Sequence, residues 1–305
     1  MSVELSGPRV FEDPIQLLEG MWPTPLVRIP IGEDFWAKLE FYNPFSHSVK
    51  DRTAWFLLRE ALKRDSKWIM EATSGNTGLA LAALTAYFKL KFTCFIPTTS
   101  PESFKLMLSM LGADVQEMGS RTTEIAPLVR QLATVSGATN LDQFNNDLNV
   151  EAHYRTTGVE VRKQLEAVGR TPRNLVATLG TAGHLVGVAK YLREVYGNEV
   201  RVVGVQPAVG SGIPGIKRVE EDNRFVRMVR IDDVVDISAE ESVLGALQVA
   251  RSSGLLIGPS AGATVAAATK LKLSGTTVLI FPDDAFKYMD FYSKHVEEAT
   301  KLLQF

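Results

Sequence analysis

The stretch KWIMEATSGNTGLALAALTAYFKLKFTCFIP, residues 67–97, indicates the fold class of the chain. Its two ends, KWIMEAT and KFTCFIP, are short apolar runs with β-branched and aromatic residues, and they predict buried strands. Between them lie a glycine-containing turn, SGNTG, and a helical pattern that is rich in alanine and leucine. A strand, a turn, a helix and a second strand form a βαβ unit, which predicts a parallel sheet.

The same alternation continues on both sides of this unit. FWAKLE is strand-like, and SVKDRTAWFLLREALKR places its apolar residues at helical spacing, with Ser46 or Ser48 available as the N-cap. A second series runs from NLVATLG through TAGHLVGVAKYLREVYG to RVVGVQP, and a third from GLLIGPS through AGATVAAATKLKL to TVLIFPDD. We therefore predict an α/β protein with two domains, each a mostly parallel twisted sheet flanked by helices. The smaller domain is placed at residues 41–145, and the larger one at residues 1–40 and 146–305.

Composition excludes several classes of protein. The 305 residues are 45% hydrophobic and 22% charged, with a net charge of −2 at pH 7. A charge so near zero gives no reason to expect a nucleic-acid or membrane partner. No apolar run is long enough to span a bilayer, and MSVELSGPRVFEDP lacks the order of a secretory signal, so we expect a cytoplasmic protein. The single cysteine, Cys94, rules out an intrachain disulfide framework and is predicted to be a core thiol.

Two strand–turn–helix junctions have the features of anion sites. ATSGNTG, residues 72–78, offers backbone N–H groups at a helix N-terminus together with the side chains of Ser74, Asn76 and Thr77. It suits a carboxylate or a phosphate, and it suits a tight capped turn equally well. LGTAGHLVG, residues 179–187, gives a weaker signal for a phosphate-type turn, because it lacks the Gly-Lys-Ser/Thr ending of a P-loop, and taken alone it is better explained as a structural turn.

Two further residues gain meaning only in combination with these turns. Lys50 follows the turn-rich segment NPFSHS, and Ser260 follows a strand in GPSAGA. Taken alone, Lys50 is a solvated charge and Ser260 a helix N-cap. The chain order of a lysine at a helix start, two anion-type turns and a late serine favours a chemical role for Lys50 over a solvated charge.

Two other kinds of site receive no support from the sequence. The four histidines have no paired spacing and no cysteine or carboxylate partners at ligand intervals, so no metal site is predicted. No Gly-x-Ser-x-Gly elbow is present, so a serine hydrolase is not predicted either.

The ordered set resembles pyridoxal-phosphate enzymes of the tryptophan-synthase-β fold type, and most of all their cysteine synthase and cystathionine β-synthase branch. The segments that carry the resemblance are WPTPLVRI, NPFSHSVKDR, TSGNTG, DQFNNDLNVEAHYRTTGVEV, GTAGHLVG and GPSAGA. The resemblance extends from about residue 20 to residue 290. It implies that pyridoxal 5′-phosphate lies in the cleft between the two domains.

The resemblance also implies a role for each matched residue. Lys50 would bond the cofactor and move the substrate's α-proton. The other cofactor-binding residues would be Asn76, Gly180, Thr181, Ala182, Gly183, His184 and Ser260, and the substrate-binding residues Thr73, Ser74, Gly75, Thr77 and Gln143. Lys217 and Arg218 would receive an anionic leaving group such as phosphate, or else balance the acidic run Glu220–Asp222 at the surface.

The function implied is that of a cysteine synthase, which replaces the β-substituent of O-acetylserine or O-phosphoserine by sulfide. Two alternatives stay open: a cystathionine β-synthase-type enzyme that uses serine and homocysteine, and a non-catalytic phosphometabolite-binding protein. The expected partners are small-molecule substrates and a second copy of the chain in a homodimer. Two departures from the family pattern are His184, where a threonine is usual, and PDDAFKYMD, which implies a different pocket near Ser260.

Overall fold

The computed structural model describes residues 9–73, 75–219 and 223–303. Its helices are α1 Pro14–Gly20, α2 Lys50–Lys63, α3 Asn76–Tyr87, α4 Glu102–Met110, α5 Thr122–Ser136, α6 Leu148–His153, α7 Val159–Ala167, α8 Gly183–Tyr196, α9 Ala239–Ser253, α10 Pro259–Lys270 and α11 Met289–Leu302. Its strands are β1 Leu26–Ile29, β2 Phe35–Leu39, β3 Trp68–Ala72, β4 Lys91–Ile96, β5 Asp114–Glu117, β6 Thr139–Asn140, β7 Asn174–Thr178, β8 Arg201–Pro207, β9 Asp233–Ile237 and β10 Thr277–Phe281. A π-helical turn, Tyr154–Gly158, joins α6 to α7.

The strands of the described residues form two sheets. The larger sheet has the order β1-β2-β10-β7-β8-β9, and the smaller one has the order β5-β4-β3-β6. Strand β1 is antiparallel to β2, and every other pair is parallel. The predicted α/β class with two mostly parallel sheets is therefore confirmed.

The apolar runs of the sequence become the central strands, as expected for parallel sheets that are covered on both faces. Every residue of β7 and of β10 is buried. Helix α3 is rich in alanine and packs closely on the sheet. A Cβ added at Gly78 would lie only 3.3 Å from the Sγ of Cys94 on β4. Cys94 is fully buried, and this burial raises the pKa of its thiol.

The strand ends determine where a ligand can bind. Strand β3 runs through Thr73 and Gly75 into α3, and β7 runs through Gly180 and Thr181 into α8. In open parallel sheets, ligands bind in the crevice beyond the carboxyl ends of the strands. The two turns that the sequence singled out both follow such ends.

Helix α2 begins differently from the prediction. It starts at Lys50, and its N-cap residue is Val49, which has no capping side chain. The predicted cap Ser48 instead accepts a hydrogen bond from the Lys50 N–H at 3.1 Å. The Asp51 carboxylate accepts the N–H groups of Phe45 and Ser46, at 2.7 and 2.9 Å. Asp51 thus fixes the preceding turn onto the helix, while Ser48, one position before the N-cap residue, serves the first N–H of the helix.

The division of strands supports a proposal for the domains. All four strands of the smaller sheet lie within residues 68–140, and the strands of the larger sheet lie on either side. We propose on this basis that the smaller domain spans residues 41–145 and that the larger one spans 1–40 and 146–305. Within the described part of the chain, no helix combines the length and the apolar character needed to cross a membrane.

Candidate active site

A cleft of about 850 Å³ lies where the loops of the two sheets meet. The predicted site residues that line it are Lys50, Thr73, Gly75, Asn76, Thr77, Gln143, Gly180, Thr181, Lys217 and Arg218. These residues come from both sheets and span most of the chain. The structure therefore brings together most of the residues that the resemblance singled out.

The remaining predicted residues lie behind the cleft surface or outside the described residues. Ala182, Gly183 and His184 are buried at the start of α8, directly after the cleft-lining Thr181. Ser260 is also buried, at the start of α10. Ser74 lies outside the residues that the structure describes.

Lys50, the first residue of α2, lines the cleft. The segment before it is tied to the end of the larger sheet, because the Val49 N–H donates to the Pro282 carbonyl at 2.8 Å. Burial lowers the pKa of Lys50 to about 8, although the charge of Asp283 acts in the opposite direction. A lysine whose pKa is lowered by burial has a larger fraction of nucleophilic neutral amine near pH 7 than an exposed lysine has.

The loop before α8 is held in an unusual conformation. Ala182 has a φ of 66°, a left-handed value that costs energy for a residue with a side chain. The Asn149 Nδ2 donates to the Thr181 Oγ1 at 3.0 Å and to the Gln143 carbonyl at 2.8 Å. A Cβ on Gly183 would lie 2.2 Å from the Asn149 Oδ1, so only glycine fits beside this amide.

His184 is a buried side chain whose hydrogen-bonding groups are not used by the protein. Neither ring nitrogen has a hydrogen-bond partner among the described residues. Burial, followed by the charge of Lys50, lowers the pKa of His184 to about 3. Its ring stands edge-on to that of His153, with 6.1 Å between the ring centroids. An unused N–H donor at the start of the 14-residue helix α8 fits a bound anion.

The loop after β3 is braced from the neighbouring strand end. The Thr77 Oγ1 donates to the Gln143 Oε1 at 2.8 Å, and the Gln143 Nε2 donates to the Ala72 carbonyl at 3.0 Å. The Glu71 carboxylate accepts the Gln143 N–H at 3.3 Å. Burial raises the pKa of Glu71 to about 8, and its N–H donors oppose this shift. Gln143 is therefore fixed at both its backbone and its side chain beside Thr77.

Asp283 is a residue of the site that the sequence reasoning missed. It is 1% exposed, and its Oδ2 accepts from the Asn76 Nδ2 at 2.6 Å and from the Tyr288 hydroxyl. Its Oδ1 lies 3.4 Å from the Ser260 Oγ, which donates to it. The usable signal was an aspartate two residues after the last apolar strand, in the kind of loop that holds the other site residues.

The two cations after β8 have different surroundings. The Arg218 Nη1 donates to the Pro207 carbonyl at 2.7 Å and to the Asp236 Oδ2 at 2.8 Å. The Lys217 Nζ lies 5.2 Å from the centroid of the Phe144 ring, a cation–π distance. The acidic run Glu220–Asp222, predicted as the alternative partner of both cations, lies outside the described residues.

Comparison with known proteins identifies the family. A family model described as pyridoxal-phosphate dependent enzyme matches residues 17–283. The chain belongs to this family. A cysteine synthase of Aquifex aeolicus is 32% identical over 292 residues, which cover 87% of this chain and 88% of that protein. Cysteine synthase B of Escherichia coli is 33% identical over 284 residues, which cover 87% of this chain and 91% of that protein.

A solved structure adds a second line of similarity. The O-acetylserine dependent cystathionine β-synthase from Helicobacter pylori superimposes with a TM-score of 0.81 at 30% identity, covering 93% of this chain and 98% of that one. The predicted family and its cofactor, pyridoxal phosphate, are thus confirmed. Within the described residues, no group of three or more His, Cys, Asp or Glu residues is arranged to hold a metal ion.

The residues present fit a group with an aldehyde, a ring nitrogen and a phosphate. The amine of Lys50 has its pKa lowered by burial and lies in the cleft. The Asn76 Oδ1 and both nitrogens of His184 are buried without partners among the described residues. Helix α8, with Thr181 ahead of its first turn, supplies the positive end of a helix dipole. A pyridoxal-phosphate-dependent enzyme needs this set of amine, amide and anion-binding groups.

Proposed function

We propose that this protein is a cysteine synthase, which uses pyridoxal phosphate to replace the β-substituent of an O-activated serine by sulfide. The observation that carries the proposal is the position of Lys50. Its amine, with a pKa lowered to about 8, shares one cleft with the TSGNTG loop and with the loop before α8. The similarity to two cysteine synthases over most of the chain supports the same reaction.

Lys50 carries the proton-transfer chemistry in this proposal. Bound pyridoxal phosphate withdraws electrons from the substrate's α-carbon and so makes the α-proton acidic. Lys50 would bond the cofactor at rest, and its amine would be freed when the substrate amine takes its place. The freed amine would remove the α-proton, and the β-substituent would leave with the electrons of its bond to the β-carbon. Lys50 would return the proton after sulfide has added to the β-carbon. A pKa near 8 suits both directions of this transfer at neutral pH.

The loops would hold the anionic groups. We assign the cofactor phosphate to Gly180, Thr181, Ala182, Gly183 and His184 at the start of α8. The substrate carboxylate is assigned to Thr73, Gly75, Thr77 and Gln143, with Ser74 as a further member outside the described residues. Asn76 and Ser260 are assigned to the cofactor ring. Closure of the TSGNTG loop over the carboxylate would exclude water from the reacting carbons.

The charge of the cleft supports substrates that carry negative groups. The charged side chains in the described lining are five cations and one carboxylate: Lys50, Arg121, Lys217, Arg218, Lys287 and Asp290. We propose that Lys217 contacts the leaving group when this group is a phosphate. Arg218 would add less, because Asp236 already accepts its guanidinium.

Spectroscopy and one pair of lysine variants test the proposed function. Purified wild-type protein should be yellow, with a visible band that borohydride removes, and Lys50→Ala should lose both this band and cysteine formation. Lys63→Ala is the matched control, because Lys63 lies on the same helix with a side chain that is 69% exposed. A protein that stays colourless after pyridoxal phosphate is added, or a Lys50→Ala variant that forms cysteine at the wild-type rate, contradicts the proposal.

The leaving group needs a separate comparison. Lys217→Ala should lower kcat/KM for O-phosphoserine by about tenfold or more, the effect of losing one charged hydrogen bond, and leave O-acetylserine turnover nearly unchanged. Arg218→Ala is expected to have the smaller effect on O-phosphoserine. Equal losses with both substrates would argue against a phosphate contact.

A second candidate function is cystathionine β-synthase activity. The observation that favours it is the similarity to the O-acetylserine dependent enzyme from Helicobacter pylori. O-acetylserine, O-phosphoserine and serine should each be assayed with sulfide and with homocysteine. Higher kcat/KM with homocysteine than with sulfide would establish this second function. The third alternative, a non-catalytic phosphometabolite-binding protein, requires that no pair of substrates reacts.

We also propose that the protein is a cytoplasmic homodimer. The family resemblance supports the dimer, and the absence of a spanning helix among the described residues is consistent with the location. Light scattering of the purified protein should give twice the mass of 33.5 kDa for one chain. A monomeric mass at assay concentration would exclude the dimer.

A further inference from the structure

Asp283 connects the segments that carry the proposed cofactor-binding residues. It follows the larger sheet's central strand β10, and its backbone forms an isolated bridge with Ser48, two residues before Lys50. Its carbonyl accepts the Gly258 N–H at 3.0 Å, in the segment that leads into Ser260. The backbone of one residue thus fixes the approach of two cofactor-binding segments.

The side chain of Asp283 adds a third connection, to helix α3, which follows strand β3 of the smaller sheet. Its Oδ2 accepts from the Asn76 Nδ2 at 2.6 Å and from the Tyr288 hydroxyl, and its Oδ1 accepts from the Ser260 Oγ at 3.4 Å. Asn76 lies 207 positions away in sequence, at the start of α3. Since an ionised carboxylate only accepts, one group satisfies three donors that come from three elements.

The surroundings of Asp283 leave it little freedom to move. A Cβ on Gly258 would lie 2.1 Å from the Asp283 Oδ1, so the carboxylate packs directly against the Gly258 backbone. Tyr288 is also buried, and its ring packs near that of Phe104 with 6.3 Å between centroids. A buried carboxylate held on several sides fixes the direction of every donor that it accepts.

This arrangement has a direct consequence for Asn76. Asp283 accepts from the Asn76 Nδ2 at 2.6 Å, and the Tyr288 hydroxyl, which itself donates to Asp283, accepts from the same nitrogen at 3.1 Å. Together they set the plane of the amide. The Asn76 Oδ1 is buried and has no hydrogen-bond partner among the described residues. The amide therefore keeps an unused acceptor in a fixed direction, as a residue prepared for a ligand does.

We propose that Asp283 is a positioning residue, which orients Asn76 and Ser260 for contact with the cofactor ring. The proposal rests on the proposed function, since it assumes that both side chains touch pyridoxal phosphate. Asp283 acts through these two residues, and no contact of its own with the cofactor is required.

Titration of apoprotein with pyridoxal phosphate tests the proposal without any activity assay. We expect Asp283→Asn to raise the Kd by about tenfold, as loss of a buried charged hydrogen bond does, and to lower the visible circular dichroism per bound cofactor. Asp284→Asn is the matched control, because the Asp284 Oδ1 accepts within its own turn, from the Phe286 N–H at 3.0 Å. A Kd and a dichroism equal to wild type in Asp283→Asn overturn the proposal.

A double-mutant cycle distinguishes positioning from a general loss of structure. Asp283→Asn should weaken cofactor binding less in an Asn76→Ala background than in wild type, because its main route of action is then absent. Equal effects in the two backgrounds would show that Asp283 does not act through Asn76. Failure of the wild type itself to bind pyridoxal phosphate would instead refute the proposed function.

Tyr288→Phe covers the case in which Asp283→Asn does not fold. It removes one donor from the carboxylate and the second acceptor of the Asn76 Nδ2, and it keeps the ring in place beside Phe104. We expect a smaller rise in Kd and a smaller change in visible dichroism, in the same directions. Unchanged values in a folded Tyr288→Phe variant, with folding checked by chemical denaturation, count against the proposal.

Discussion

Arg52 and Glu160 form a double hydrogen-bonded ion pair in the interior of the protein. The Arg52 Nη1 donates to the Glu160 Oε1 at 2.6 Å, and its Nη2 donates to the Oε2 at 2.8 Å. The Arg52 Nε donates to the Glu40 Oε2 at 2.6 Å, and the Lys38 Nζ reaches the Glu160 Oε2 at 2.6 Å. These two cations and two carboxylates hold helix α2 in place at Arg52, which lies two residues after Lys50.

Loss of one member of this cluster should be costly. Glu160→Gln leaves Arg52 and Lys38 without a full countercharge, and we expect it to reduce the free energy of unfolding by about 3–5 kcal/mol. The control is Glu166→Gln, since Glu166 pairs with Arg162 near the surface and such pairs contribute only about 0.3–0.5 kcal/mol. Urea denaturation of both variants provides the measurement. A loss in Glu160→Gln no larger than in the control would contradict this account.

The same cluster predicts how stability depends on pH. Burial alone raises the pKa of Glu160, but the charges of Arg52 and Lys38 outweigh it and lower this pKa to about 2. The folded-state pKa lies below the unfolded value of about 4.3, so the contribution of Glu160 is complete above that value. It is lost as the pH falls towards 2. Glu160→Gln should therefore show a shallower fall in unfolding free energy over this range, and a slope equal to wild type would refute the assignment.

Lys50 should control the pH dependence of cofactor loading. Only the neutral amine attacks an aldehyde, and burial places the pKa of Lys50 at about 8. The rate at which the visible band grows in apoprotein should rise with pH around a midpoint near this value. The Asp283 charge raises the pKa of Lys50, so Asp283→Asn should move the midpoint to lower pH. A midpoint near the ordinary lysine value of about 10.4 would contradict the role of burial.

Most of the residues that the sequence singled out line the cleft, because their positions follow a local rule. Thr73, Asn76 and Thr181 each lie just after an apolar strand and before or at the start of a helix, and such positions meet at the carboxyl edge of a parallel sheet. Lys50 could be recognised only by its neighbours in chain order, since nothing in its own segment distinguishes it from a surface lysine.

The contacts that hold these residues were not predictable in the same way. Asn76 and Asp283 are 207 positions apart, and Arg52 and Glu160 are 108 apart, so no periodic pattern relates them. Such pairs depend on how the two sheets pack, which local propensity does not determine. The predicted N-cap of α2 was wrong by one residue, since Val49 is the N-cap, although the Ser48 Oγ accepts the Lys50 N–H.

Gly183 should be intolerant of a side chain. Gly183→Ala would force the Asn149 amide away, because the new Cβ would lie 2.2 Å from its Oδ1. Asn149 would then lose its bond to Thr181, and the proposed phosphate loop would loosen. We expect about tenfold weaker binding of pyridoxal phosphate, the effect of one lost charged hydrogen bond. Lys190→Ala, at an exposed position of the same helix, is the control, and equal affinities in the two variants would exclude this role.

His184 provides the last test, which concerns the proposed phosphate contact. Burial and then the charge of Lys50 lower its pKa to about 3, so the ring is neutral at working pH and offers one N–H donor. His184→Leu should weaken pyridoxal phosphate binding by about tenfold, whereas His184→Asn, which keeps an N–H donor, should weaken it less.

The pH dependence of this effect separates a neutral histidine from a charged one. Because the ring stays neutral, the ratio of Kd values for wild type and His184→Asn should be constant between about pH 6 and about pH 8. A transition in this ratio near pH 6.5, the ordinary histidine value, would show that the ring becomes protonated there. His184 would then bind the phosphate as a cation, and the assignment of a neutral donor would be wrong.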